Sequence, residues 1–122
     1  MIQERHLKTT LSFTEIRLDL FPAGEDIVAV LTGGEKPHVG CAVASVPRPS
    51  LSGNGQNSCT SSVINLTGHK DEFLCRRIAE SLCVHYCVTV ICTGGVHLDS
   101  ITEEQITMIK DSVSDLIEQI IF

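Results

Sequence analysis

The sequence predicts an α+β fold: a mostly antiparallel or mixed sheet of about five to six strands packed with two helices. Three observations carry that expectation. The first half is β-prone, opening with apolar residues that alternate at period two from His6 to Leu20. After Lys70 the apolar period lengthens to i, i+3, i+4, i+7, which is a helical face. A short continuous apolar run, Val88 to Cys92, then separates this helical stretch from another.

Within His6–Leu20 the alternation changes parity. Leu7, Leu11 and Phe13 lie on one phase and Ile16, Leu18 and Leu20 on the other, so the chain slips near Thr14-Glu15 through a bulge or a tight hairpin. Pro22-Ala23-Gly24 turns the chain, and Asp26–Thr32 is a strand apolar enough to be central. Gly33-Gly34 ends it, and Val39–Val46 is a further strand of small residues. These two strands are expected to form a hairpin with its tip at Gly33–Gly40. Pro47–Asn57, rich in Pro, Ser, Gly and Asn, reads as a loop, and Ser58–Leu66 as another strand.

Leu74, Cys75, Ile78, Ala79, Leu82, Cys83 and Tyr86 define an amphipathic helix from about Lys70 to Tyr86. Val88–Cys92 has the pattern of a strand buried on both faces. Thr102-Glu103-Glu104-Gln105 is a capping box that opens the last helix. Ile106, Ile109, Val113, Leu116, Ile117 and Ile120 continue it as a core stripe.

The 122 residues suit one domain, 1–122. A hydrophobic share of 43% is enough for a real core and excludes a disordered chain. The net charge of -6, without a Lys/Arg cluster, argues against nucleic acid and against a polybasic membrane contact. No apolar run approaches the ~18 residues of a membrane span. The opening MIQERHLK is charged and has no apolar signal core, so a cytoplasmic setting is expected. That setting makes the Asn65-Leu66-Thr67 sequon a chance match. Five of the six cysteines (Cys41, Cys75, Cys83, Cys87, Cys92) stand in apolar stretches as small hydrophobes, and no CxxC occurs. Cys59, in a polar Ser/Thr stretch, is expected to be more exposed.

The chemistry is concentrated in three Gly-and-His segments, GGEKPHVG, TGHKDE and TGGVHLDS. His38, His69 and His97 each stand at an element boundary; His6 reads as a surface residue and His85 as the edge of a helix stripe. Thr67–Asp71 joins a strand to a helix N-terminus, where free N–H groups and the dipole favour an anion. Asp71 and Glu72 already answer that dipole, so a Thr67-capped helix with solvated charges explains the segment equally well. Thr93–Asp99 has the same strand-to-helix logic, and His97 and Asp99, two apart in an extended loop, face one side. Asp99 is there a metal ligand, a partner fixing the His97 tautomer, or with Ser100 simply a helix cap. His38, His69, His97 and Asp99 are the candidate metal ligands, since His and carboxylate suit divalent zinc, iron or manganese. No residue is assigned a catalytic role, because no nucleophile elbow, Walker loop or dinucleotide loop is present.

The order GG-x-x-PH-x-G, then GHKDE leading into Ala79-Glu80-Ser81-Leu82, then G-x-H-x-D-x-I-x-x-E-E, resembles the prenylated-flavin chaperone-like family, the small D subunit described with gallate decarboxylase. The likeness runs from about Gly33 to the C-terminus. It implies an accessory chaperone that binds prenylated flavin mononucleotide (prenylated FMN), with metal assistance, for the catalytic subunit of a UbiD-type (hydroxy)aromatic acid decarboxylase. It also implies a fold similar to proteasome-assembly-chaperone domains and a homodimer. The cofactor-binding residues it implies are Gly33, Gly34, Pro37, His38, Gly68, His69, Lys70, Gly94, Gly95 and His97. Cysteine at apolar positions 41, 75, 83 and 87, where Ala, Val or Leu would be expected, is the one departure. Two other classes stay open on the residues alone: a small His/carboxylate metal enzyme, and an interaction module in which these segments are only turns.

Overall fold

The computed structural model describes residues 2–66 and 70–122, excluding the side chain of residue 70. The elements are β1 (Arg5–Thr10), β2 (Glu15–Ala23), β3 (Asp26–Gly34), β4 (Cys41–Pro49), β5 (Asn57–Asn65), α1 (Lys70–Tyr86), β6 (Val90–His97) and α2 (Glu103–Ile121). The six strands form one mixed sheet in the order β1-β2-β3-β6-β4-β5. The parity slip near Thr14 is a tight hairpin between β1 and β2, closed by Leu11 N–H donating to the Thr14 carbonyl at 2.8 Å. A second hairpin joins β2 to β3 around Gly24, whose φ of +63° lies in the region glycine favours.

The expected β3–β4 hairpin does not form. β6 inserts between these strands, parallel to β3 and antiparallel to β4. The most apolar short strand takes the centre of the sheet, and the segment after Gly34 has to cross the end of β6 to reach β4. β6 also runs past Cys92, so Thr93-Gly94-Gly95-Val96-His97 belongs to a strand rather than to a loop. Gly94 makes this possible: its φ is +130°, and a Cβ there would collide with the Leu31 carbonyl of β3. Likewise Pro47–Pro49 extends β4, which leaves a shorter connection, residues 50–56, to β5.

Both helices lie on one face of the sheet. Ile16, Leu18 and Leu20 of β2, Ile27, Ala29 and Leu31 of β3, Cys41 and Val43 of β4, and Val90 and Cys92 of β6 are buried beneath them. From the helices come Leu74, Cys75, Ile78, Ala79, Leu82 and Cys83 of α1 and Val113, Leu116 and Ile117 of α2. Ala29, Cys41 and Cys92 are small, and so are Cys75 and Ala79 opposite them, which lets α1 approach the strands closely. Tyr86 closes the far end of the core by donating its hydroxyl proton to the Ile120 carbonyl at 3.1 Å. The Thr102 capping box is complete: its hydroxyl accepts from Gln105 N–H, and the Gln105 side chain accepts from Thr102 N–H.

Because the helices share a face, β6 is not buried on both sides. Ile91 is 41% exposed on the opposite face, beside Ala44 of β4 and Val28 of β3. Val46 and Ile64 are exposed on that face as well. The cysteines divide differently from expectation. Cys41, Cys75, Cys83 and Cys92 are fully buried, and burial pushes the Cys41 thiol up to about 12 and the Cys83 thiol to about 11. Cys87 is exposed instead, because it is the left-handed residue (φ +55°) that ends α1. Cys59 is half-buried against the core. No described helix is long and apolar enough to cross a membrane.

Leu82 is fully buried between the sheet and α2. Leu82→Ala is expected to lower stability by about 2–5 kcal/mol, read as a fall in the urea midpoint with the m-value unchanged.

Candidate functional site

The strand order brings the first and third segments together. β3 ends at Gly34, paired with His97, the last residue of β6. Glu35 N–H donates to the His97 carbonyl at 2.8 Å, and Gly40 N–H donates to the Gly94 carbonyl at 2.8 Å. The connection 35–40 is therefore fastened to β6 at both ends, with Pro37 and His38 between. α1 starts at this same end of the sheet, where β5 finishes.

The group at the centre is Asp71, in the first turn of α1 and only 4% exposed. Its Oδ1 accepts from Val96 N–H at 2.9 Å, and its Oδ2 lies 3.2 Å from His38 Nε2. His38 Nδ1 lies 3.0 Å from the Lys36 carbonyl. A carbonyl can only accept, so Nδ1 carries a proton, and the approach of Nε2 to the carboxyl is favourable when one further proton lies between them. Gly40 and Gly95 flank this pair, and a Cβ on either would run into the Asp71 carboxylate and approach His38 Nε2. The glycines of these motifs thus act here through missing bulk.

The His97 ring stands edge-on to that of His38, with centroids 6.2 Å apart and planes at 80°. His97 Nε2 donates to Asp99 Oδ1 at 3.0 Å. This hydrogen bond, followed by the charge of His97 and that of Lys36, holds the Asp99 carboxyl below the usual carboxylate range. Asp99 is thus paired with His97, and the helix cap is Thr102.

Several expected residues fall elsewhere. Gly33 and Gly34 are in-strand residues of β3; Gly34 (φ +81°) meets the His97 backbone so closely that a Cβ would collide with it. Gly68 and His69 lie outside the described residues, as does the side chain of Lys70, the first residue of α1. Among the described residues no group of three or more His, Cys, Asp or Glu is gathered as a metal site. His38 and His97 each turn Nε2 toward a different carboxylate, so His38, His97 and Asp99 do not by themselves form the set expected for a divalent metal. Nor is α2 an open anion site, since its own cap occupies the N-terminal N–H groups.

Beside the two imidazoles lies a cleft of about 270 Å³ between the first turns of α1 and α2. Leu74, Val96, Leu98, Ile101, Ile106 and Ile109 make its walls, and Asp71 and His97 one side of it. Lys110 also lines it, its ammonium 4.6 Å from the centroid of the half-exposed Phe73 ring. The sequence marks Asp71 as an acid near His69 in a helix first turn, and Ile106 and Ile109 as core stripe. Burial and the gap between the helices depend on packing that no local pattern records.

The architecture is α+β, a six-stranded mixed sheet with two helices on one face. It is similar over 98% of this chain and 98% of the other to a chain in the crystal structure of a chaperone complex for yeast 20S proteasome assembly, with a TM-score of 0.59 and 11% identity. Residues 11–122 match the prenylated flavin chaperone LpdD-like domain, and the chain belongs to that family. It is also 30% identical to Protein LpdD of Lactiplantibacillus plantarum over 106 residues, covering 80% of this chain and 68% of that protein.

Two outcomes are expected. Asp71→Ala leaves the Val96 N–H without its acceptor and should cost about 1–3 kcal/mol, read from the urea midpoint at neutral pH. Asp99, with its lowered folded value, contributes stability above the ordinary carboxylate range and loses it as pH falls through that lowered value. The difference in urea midpoint between wild type and Asp99→Asn should therefore be present at pH 7 and vanish in acid.

Proposed function

We propose that this chain is a non-catalytic accessory chaperone that binds prenylated FMN at the His38–His97 end of the sheet, for maturation in or delivery to a UbiD-type decarboxylase. The observation that carries this reading is the convergence of two imidazoles from separate Gly-bearing motifs beside an apolar cleft. A flavin is a planar apolar ring system with a polar edge, and such a wall of side chains suits it: hydrogen-bonding imidazoles on one side, aliphatic groups on the other. Family membership supports the same cargo. Six free thiols suit a reducing cytoplasm.

The reading includes a homodimer. Val46, Ile64 and Ile91 are exposed on the uncovered sheet face, and a second copy laid on that face would bury them. Ile91→Lys should then give a folded monomer, measured by light scattering after size exclusion; an unchanged mass would remove this part of the proposal.

The principal test is anaerobic titration with reduced prenylated FMN followed by absorbance, with metal content determined in parallel. A stoichiometric spectral change is expected. His97→Ala should weaken binding about tenfold, as for loss of one hydrogen bond to a ligand, and His38→Ala should weaken it through loss of the ring that stands against His97, with the far-UV CD spectrum retained in both. No spectral change in wild type, with or without added metal, would sink the reading.

A further inference from the structure

The cleft between α1 and α2 is built for something other than the polar edge of a flavin. We infer that it is the subsite for the dimethylated ring that prenylation adds, and hence the place where prenylated FMN is distinguished from plain FMN. This rests on the reading above and goes beyond it, since that reading concerns where the flavin binds and this one which flavin is accepted.

Three features point to it. First, the walls are aliphatic: Leu74 and Ile109 are almost wholly buried, and Val96, Leu98, Ile101 and Ile106 present partly exposed surface to the cleft. Among the described residues the polar lining consists of Asp71 and His97 on one side and Lys110 on the other. Second, about 270 Å³ is below the roughly 300–1,000 Å³ of pockets that enclose a drug-sized ligand, so only part of a flavin nucleotide fits within it. Third, the cleft is continuous with the imidazole pair, because Asp71 and His97 belong to both. A ligand with its polar edge at His38 and His97 therefore has one neighbouring space whose walls are mainly aliphatic, with polar groups only at its sides, and the group that belongs against those walls is a hydrocarbon. Prenylated FMN has such a group fused to the ring system, and FMN does not.

The cleft persists because α2 does not pack closely against α1 along its whole length. Val113, Leu116 and Ile117 are buried farther along α2, while the connection 98–102, turned by Ser100 at φ +55°, leads into its first turn beside the cleft. Buried hydrocarbon is the discriminating quantity. Covering three of the five added carbons corresponds to roughly a fiftyfold preference.

The test is a pair of anaerobic titrations of the full chain, with prenylated FMN and with FMN, in wild type, Ile106→Phe and Leu98→Trp. Both substitutions fill the cleft from half-buried positions, and near-UV and far-UV CD confirm that each variant folds. Wild type should bind prenylated FMN at least about fiftyfold more tightly than FMN, and either variant should bring that ratio below about fivefold. Comparable binding of both flavins by wild type overturns this inference and leaves the chaperone reading standing. So does a ratio that survives in both variants while the two affinities fall in parallel. Binding of neither flavin overturns both readings.

Discussion

The rest of the structure depends on where β6 sits. By pairing parallel to β3 on one side and antiparallel to β4 on the other, it forces residues 35–40 to pass over its end. That passage places His38 within 6.2 Å of the His97 ring, and two backbone hydrogen bonds to β6 hold it there. A β3–β4 hairpin would have left His38 at a free tip. The parallel pairing also determines where α1 begins. The chain leaves β5 at the end where β3 and β6 finish, so the first turn of α1 delivers Asp71 onto the Val96 amide and the His38 ring.

Packing around this centre follows from small side chains. Ala29, Cys41 and Cys92 in the sheet, facing Cys75 and Ala79 in α1, bring helix and strands close enough for Asp71 to reach β6. Gly40 and Gly95 then leave the space that the carboxylate and imidazole occupy. One buried acid is tolerable here because both of its oxygens have neighbours, an amide and a ring nitrogen. Neighbouring surfaces are loose by comparison. The open sheet face keeps Ile91 and Ile64 in water, and the first turns of the helices stand apart over the cleft.

What was legible in the sequence is what is local. The helical period of Leu74, Ile78 and Leu82 placed α1 at its observed bounds, the Thr102–Gln105 box placed the start of α2, and the parity slip at Thr14 marked the first hairpin. What was not legible is non-local. Strand pairing is decided by the whole sheet, so Gly33-Gly34 before a strand of small residues looked like a hairpin tip, although β6, more than fifty residues on, takes that neighbouring place. Thr93–His97 looked like a loop because glycines usually interrupt strands, whereas here they allow two tight pairings. His38 and His97, from two of the three Gly-and-His segments, stand together, but the geometry of those segments was misread. Asp71 counts in the sequence as the acid near His69, and its contacts with His38 and the Val96 amide are non-local, so no local pattern shows them.

The buried thiols have a consequence for how long a molecule lasts. Cys75 lies against Cys41 and Cys92 in the middle of the core, and oxidants can reach none of them while the chain is folded. Damage there is possible only during opening, and a core with an oxidised sulfur is too polar and too large to close again. Each molecule thus has a chemical clock whose rate is the fraction of time spent open. A loss of about 1.4 kcal/mol in stability speeds that clock tenfold. Ageing under oxidants is then governed by the folding equilibrium, whereas the exposed Cys87 at the end of α1 lies outside that protection.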